Sequence, residues 1–126
     1  MKQIAQQPFS ACEQFILYWD GQPSDRPAIF IPLKTEYYNR FAEGTKIHEL
    51  RLYGQRWNER TCKPGRRVTI SKGYGKQHRL PGTITEFKKQ HGTTFGSTYR
   101  ADIEEVYGTL NVWIASLRIK VDGVSA

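Results

Sequence analysis

The chain is poor in cysteine and has no long apolar run. Only Cys12 and Cys62 occur among its 126 residues, and two distant cysteines do not make a disulfide framework. No stretch approaches the ~18 apolar residues that a membrane-spanning helix needs, and the first residues lack the apolar core of a signal peptide. These absences predict a one-domain cytoplasmic protein of a reducing compartment, bacterial or phage in type, with no membrane partner.

Signatures of metal and cofactor sites are also missing. The histidines at 48, 78 and 91 have no metal-ligand spacing among themselves or with the cysteines. Residues 72–76 are not a phosphate loop, because Gln77 stands where Ser or Thr is required, and His78 excludes a dinucleotide glycine motif. The sequence therefore predicts no cofactor and no metal.

What the chain does have is a concentrated positive charge. Nineteen Lys and Arg stand against twelve Asp and Glu, a net charge of +7. The cationic segment, residues 56–79, nets 8 − 1 = +7, so the rest of the chain is neutral. Such a field favours RNA, DNA or nucleotides, with a solubility surface as the alternative. Its cations are Arg56, Arg60, Lys63, Arg66, Arg67, Lys72, Lys76 and Arg79, and its one acid is Glu59.

Two aromatic residues, Trp57 and Tyr74, lie inside the cationic segment near Arg and Lys side chains. A base stacked on such a ring contributes about 1–3 kcal/mol, while the neighbouring cations hold phosphates. The pattern predicts a surface for single-stranded nucleic acid, although either ring could instead cover the core. The predicted contacts are Arg56, Trp57, Arg60, Lys72, Tyr74 and Lys76.

Apolar patterning predicts more strands than helices. Strands are expected at residues 28–33, 46–53, 66–71, 80–88 and 110–121, and helices at 9–21, 35–43 and 101–107. Ser10 and Glu13 have capping-box spacing for the first helix, Thr35 is the expected N-cap of the second, and Gly44 and Gly108 end the later two. Residues 22–27 are expected to form a linker, and residues 54–63, 72–76 and 90–97 to form loops or turns.

Charged residues cluster directly after Gly44. Alternation along residues 46–53 puts Glu49 and Arg51 on one face, about 7 Å apart, together with Tyr53. Lys46 lies at the junction of loop and strand, from which it can turn into the same cleft. The alternative is a solvated edge strand with an ordinary, weak ion pair.

Gly44, Lys46, Glu49 and Arg51 reproduce the pattern G-x-K-x-x-E-x-R, which resembles the signature of the ASCH domain, a relative of the PUA RNA-binding fold. The resemblance covers roughly residues 27–121. It implies an α+β fold, a small mixed β-barrel of PUA/ASCH type flanked by short helices, with an extra N-terminal helix. We therefore expect an ASCH-like domain at residues 27–126, preceded by a helical extension and linker at residues 1–26.

The resemblance implies two functions. In the first, the cleft binds RNA, other single-stranded nucleic acid or a nucleotide: Lys46 and Arg51 meet phosphate or a base edge, and Glu49 orients Arg51 or accepts from a base amine. In the second, Lys46 and Glu49 are catalytic residues of a ribonuclease or of an N4-acetylcytidine amidohydrolase. A structural or protein-interaction role for the aromatic N-terminal helix is a third hypothesis. The oligomeric state stays open.

The sequence departs from the amidohydrolase pattern. Those enzymes look to have a threonine nucleophile where Glu49 stands, and a carboxylate before the second helix that residues 91–96 lack. Glu86, Asp102 or Glu104 could supply that carboxylate spatially. Ribonuclease chemistry at Lys46 and Glu49 stays open, because it needs no threonine.

Overall fold

A curled mixed sheet of six strands forms the body of the protein in the computed structural model, which describes residues 15–124. Two helices and a 3-10 turn complete this α+β fold, and the curl gives the sheet the form of a half-barrel. The strands are β1 (Phe15–Tyr18), β2 (Ile29–Leu33), β3 (His48–Leu52), β4 (Arg67–Lys72), β5 (Arg79–His91) and β6 (Trp113–Val121). The helices are α1 (Thr35–Glu43) and α2 (Ser97–Tyr107), with the 3-10 turn at Gly92–Thr94.

The strand order is β2-β4-β5-β6-β3, so β2 and β3 are the two outer strands of the path. β2 and β4 are parallel, and every other pairing in the sheet is antiparallel. β5 has 13 residues and is long enough to pair with two strands along one edge. Its first part pairs with β4 and its later part with β1, while β6 occupies its other edge.

The helix expected at residues 9–21 is wrong over Phe15–Tyr18, which form β1. β4 pairs with β5 only as far as Thr83, so the edge of β5 beyond that point is open. β1 fills this edge from Glu86 to Lys89, and such long-range pairing overrides a local helix signal. β1 therefore belongs to the main sheet rather than to a separate extension. Residues 1–14, with the expected capping box, lie outside the described residues.

Both described helices end where the glycines predict. Gly44 and Gly108 take left-handed conformations, with φ of 82° and 78°. The expected N-cap at Thr35 is wrong, because the Lys34 carbonyl already accepts the first helical hydrogen bonds and Thr35 lies inside the first turn. Helix α2 begins at Ser97, four residues before the expected start.

The core lies on the concave face of the sheet, under α1. Ile31, Phe41, Phe87 and Leu117 are fully buried there. Along β6, Ala115, Leu117, Ile119 and Val121 share this face and are buried. Cys62 is a free, buried thiol.

The loop expected at residues 90–97 is shorter than predicted. β5 continues to His91, because that residue pairs with Trp113 at the start of β6. Gly92 then donates its N–H to the carbonyl of Val112 at 2.8 Å, so hydrogen bonding between the two chain segments continues up to the 3-10 turn. No helix among residues 15–124 is long and apolar enough to cross a bilayer.

Candidate functional site

Lys46, Glu49 and Arg51 converge on the concave side of β3. The Nε atom of Arg51 donates to Oε2 of Glu49 at 2.7 Å, and Nζ of Lys46 lies 3.8 Å from Oε1 of the same carboxylate. Glu49 is buried, and the other two side chains are partly buried. The predicted same-face pair is therefore confirmed, and Lys46 does turn into the cleft.

Arg51 also spans the open seam of the half-barrel. One terminal nitrogen donates to the main-chain carbonyl of Pro32 at 3.1 Å, which joins the outer strands β3 and β2. An outer strand presents carbonyl groups without a strand partner, and a guanidinium group suits such an acceptor. We call the space at this seam, bounded by Lys46, Glu49 and Arg51, the seam cleft.

Aromatic side chains lie close to the ammonium group of Lys46. Its Nζ is 5.7 Å from the ring centre of Tyr37 and 5.4 Å from that of Phe41, both on α1. Burial lowers the pKa of Lys46, and the charges of Glu49 and Asp102 only partly oppose this effect. A lysine of this kind holds its proton less firmly than a surface lysine. Of the three carboxylates that the sequence offered as candidates here, Asp102 is the one whose charge acts on Lys46.

Trp57 forms a wall of the seam cleft. Its ring centre lies 4.9 Å from the guanidinium carbon of Arg51 and 5.5 Å from that of Arg56, both within cation–π range. The loop that carries it is organised by Asn58, whose buried amide accepts from two loop N–H groups and donates to two loop carbonyls. Arg60, in the same loop, is exposed.

Tyr53 follows β3 and lies beyond Arg51. Its hydroxyl group donates to the Glu59 carboxylate, and Nζ of Lys89 lies 4.3 Å from its ring centre. Lys89 is also 5.0 Å from the ring centre of Trp113. These contacts hold Tyr53 in a second cation–π cluster beside the seam cleft.

The basic turn after β4 packs elsewhere. The Tyr74 ring lies beside Phe30, with centroids 6.0 Å apart, and the Arg79 guanidinium covers the same Phe30 ring at 5.1 Å. Phe30 alternates with the buried Ile31 and so lies on the outer face of β2. The contact with Phe30 leaves Tyr74 81% exposed.

The two lysines of this turn also differ. Lys72 has its Nζ 5.3 Å from the ring centre of Tyr38 on α1, whereas Lys76 is exposed. Neither contacts Arg51 or Trp57. The prediction that the two basic loops form one surface stays a prediction.

Two cations of the cationic segment serve the fold. Arg66 donates to the carbonyls of Pro27 and Thr61, and Arg67 forms an ion pair with Asp122 at 2.7 Å. Fewer cations are therefore free to contact a polyanion than the eight counted in the cationic segment.

The seam cleft includes residues that sequence reasoning did not assign to it. These are Pro32 of β2, and Tyr37 and Phe41 of α1. The spacing of Tyr37 and Phe41 marked them as a packed pair, but nothing local showed that a lysine would lie against both. Within residues 15–124 no three His, Cys, Asp or Glu side chains are grouped to hold a metal ion.

No family model matches the chain, and comparison with curated proteins and with solved structures gives no match either. The structure defines a small α+β half-barrel protein with a cluster of charged side chains at its seam. The ASCH resemblance rests on the four motif residues and stays a prediction.

Proposed function

We propose that this protein binds RNA, other single-stranded nucleic acid or a nucleotide in the seam cleft. Lys46 and Arg51 meet phosphate or a base edge, Glu49 orients Arg51, and Trp57 offers a ring for stacking. The three charged side chains sum to +1, so an anionic group is electrostatically favoured there.

The state of the Lys46 ammonium group carries this proposal. Its side chain is 18% exposed, and its closest acceptor, Glu49 Oε1, is 3.8 Å away, beyond hydrogen-bond distance. Among the described residues no atom accepts a hydrogen bond from it. A partly buried ammonium group has three N–H donors to satisfy, and leaving them without acceptors is costly. Phosphate oxygens of a ligand would satisfy them.

Stacking by Trp57 extends the same proposal to base-bearing ligands. The Trp57 ring is partly buried and already held by Arg51 and Arg56, so its orientation is set before a ligand arrives. Ordering a contact residue in advance reduces the entropy cost of binding. Arg56 and Arg60 would then hold the phosphates that flank a stacked base.

Fluorescence anisotropy with a labelled single-stranded RNA tests this proposal. The affinity should fall steeply between about 50 and 200 mM salt, because each phosphate contact releases counterions. Lys46→Met should weaken binding and reduce the salt slope by about 0.7, the value for one contact to a single strand. Lys120→Met, at an exposed site on β6, is the matched control and should change binding far less.

Binding that does not depend on salt would contradict the proposal. Equal loss in Lys46→Met and Lys120→Met would show that only general charge matters, not the cleft. Circular dichroism of both variants establishes that each is folded before the affinities are compared.

A hydrolase is the second candidate, and the lowered pKa of Lys46 favours it. A neutral Lys46 amine can accept a proton from an attacking water molecule or a 2′-hydroxyl group. Asp102 influences Lys46 electrostatically and is a candidate for the missing carboxylate. Glu49 is less suited to be a base, because Arg51 already donates to it at 2.7 Å.

Turnover of RNA and of N4-acetylcytidine by the purified protein tests the hydrolase hypothesis. Lys46→Ala and Glu49→Gln should each abolish activity in a folded protein. If both variants retain the activity of the unmodified chain, or if the unmodified chain has none, the hydrolase is rejected and binding remains.

A further inference from the structure

A second concave site lies on the opposite face of β3. Its volume is about 250 Å³, and it is formed by the outer faces of β3, β5 and β6 together with the start of α2. His48 and Leu50 line it, and these alternate along β3 with Glu49 and Arg51 of the seam cleft. We call it the outer groove. The sheet separates the two sites.

The floor of the outer groove contains polar side chains that have no hydrogen-bond partner among residues 15–124. Gln90 and Ser116 are each only 7% exposed and both line the groove. Within the described part of the chain neither side chain makes a hydrogen bond, although buried polar groups are rarely left unpaired. Pairing of Lys88 with Ser116, and of Gln90 with Ile114, brings these side chains onto one face. They are arranged to meet a ligand.

The walls of the groove add aromatic rings and cations. Phe95 and Tyr99 come from the connection to α2 and from its first turn, with ring centroids 6.1 Å apart. Lys88 and Arg118 supply two positive charges, and Glu86, which also lines the groove, supplies one negative charge, so the lining carries a net charge of +1. Arg118 has a loose ion pair with Glu86 at 3.9 Å, while Lys88 has none among the described residues.

These groups match one ligand chemistry. A primary amide presents a donor beside an acceptor, which is the pattern along the edge of a nucleobase. Aromatic rings accept a flat ring system by stacking, and cations accept a phosphate group. The volume is slightly below the usual range of about 300–1,000 Å³ for small-molecule pockets, which suits a single base better than a polymer.

We infer that the outer groove is a binding site for a nucleoside monophosphate, with Gln90 and Ser116 reading the base edge and Lys88 and Arg118 holding the phosphate. This site is separate from the seam cleft and does not depend on its proposed function. The protein would thus present two sites for anionic, base-bearing ligands, one on each face of β3.

Titration of the ¹⁵N-labelled full chain with AMP, CMP, GMP and UMP, each alone, tests the inference. At least one nucleotide should shift the side-chain amide resonances of Gln90 and the backbone resonance of Ser116 in a saturable way. Gln90→Met removes the amide with little change in shape and should weaken binding about 3- to 10-fold. Gln22→Met, at an exposed glutamine, is the matched control and should leave the affinity unchanged.

One further ligand, ribose 5-phosphate, separates recognition of the base from recognition of the phosphate. Ribose 5-phosphate keeps the anion but lacks the base, so it should bind more weakly than the preferred nucleotide and lose no affinity in Gln90→Met. If Gln90→Met does not fold, Ser116→Ala takes its place with the same expectation.

Several outcomes would overturn the inference. Absence of shifts in the groove at millimolar nucleotide, equal affinity for ribose 5-phosphate, or unchanged affinity in both floor variants would each do so. Lys46→Met distinguishes the two sites: shifts at Gln90 should persist in it. Nucleotide shifts confined to Lys46, Arg51 and Trp57 would reject the outer groove and leave the seam cleft standing.

Discussion

Arg51 and Pro32 are joined by a hydrogen bond of 3.1 Å between the guanidinium group and the main-chain carbonyl, across the seam of the half-barrel. The two residues belong to the outer strands β3 and β2, which share no strand pairing. The same guanidinium holds Glu49 and lies under Trp57. One side chain therefore both joins the outer strands and shapes the candidate site.

Replacing Arg51 by methionine should lower the free energy of unfolding by about 2–3 kcal/mol. The change leaves the buried Glu49 carboxylate without its closest partner and the Pro32 carbonyl without a donor. Urea denaturation at pH 7 measures the loss. A loss below about 0.5 kcal/mol would mean that the pair acts like an ordinary surface ion pair.

The double variant Glu49→Gln with Arg51→Met measures the interaction between these two side chains, because neither is left with an unpaired charge. Removing the carboxylate charge together with the guanidinium leaves no uncompensated buried charge, so the double variant should lose less stability than the two single variants together. The difference should be about 1 kcal/mol or more, as expected for residues in direct contact. Strict additivity would contradict the coupling.

Asn58→Ala should loosen the loop that presents Trp57. The amide donates to the carbonyls of Gly54 and Gln55 at 2.8 and 3.0 Å, and it accepts from two N–H groups further along the loop. Losing these bonds at a buried site should cost about 2 kcal/mol. The Trp57 indole N–H resonance should also broaden or shift. Asn39→Ala, on the exposed side of α1, is the control and should change little.

Stability should fall as the pH is lowered through about 6.5, the usual pKa of histidine. Burial lowers the pKa of His48 in the folded protein, and the charges of Arg118, Lys46 and Lys88 lower it further, while Glu86 opposes them. The unfolded chain therefore takes up a proton at higher pH than the folded chain does. The free energy of unfolding therefore falls as the pH is lowered from about 6.5 to the lowered pKa of the folded state.

Urea denaturation at pH 7.5, 6.5 and 5.5 measures this dependence, and His48→Gln should flatten it. Asp122 does not interfere, because the hydrogen bonds from Arg67 hold its pKa below the usual value, and the stability this contributes is lost only in more acidic solution, below about pH 4. An equally steep profile in His48→Gln would assign the effect to other groups.

Local sequence was enough for much of the fold. The helix at Thr35–Glu43 with its Gly44 ending, the five strands from β2 onward and the turn after Lys72 were predicted because each depends on neighbours within a few residues. The convergence of Glu49 and Arg51 was predictable for the same reason: strand alternation sets it over three residues. The strand at Phe15–Tyr18 was not, because its partner is β5, some seventy residues away.

The sequence by itself determined which residues of the motif share a face and where the positive charge is concentrated. Only the tertiary structure decided how that charge is used: Arg66 and Arg67 bind carbonyls and Asp122, Tyr74 packs on Phe30, and Arg51 reaches Pro32. Backbone geometry fixes side-chain direction over a few residues, whereas contact partners depend on how the sheet curls. That curl is set by pairings between distant strands, which no short stretch of sequence contains.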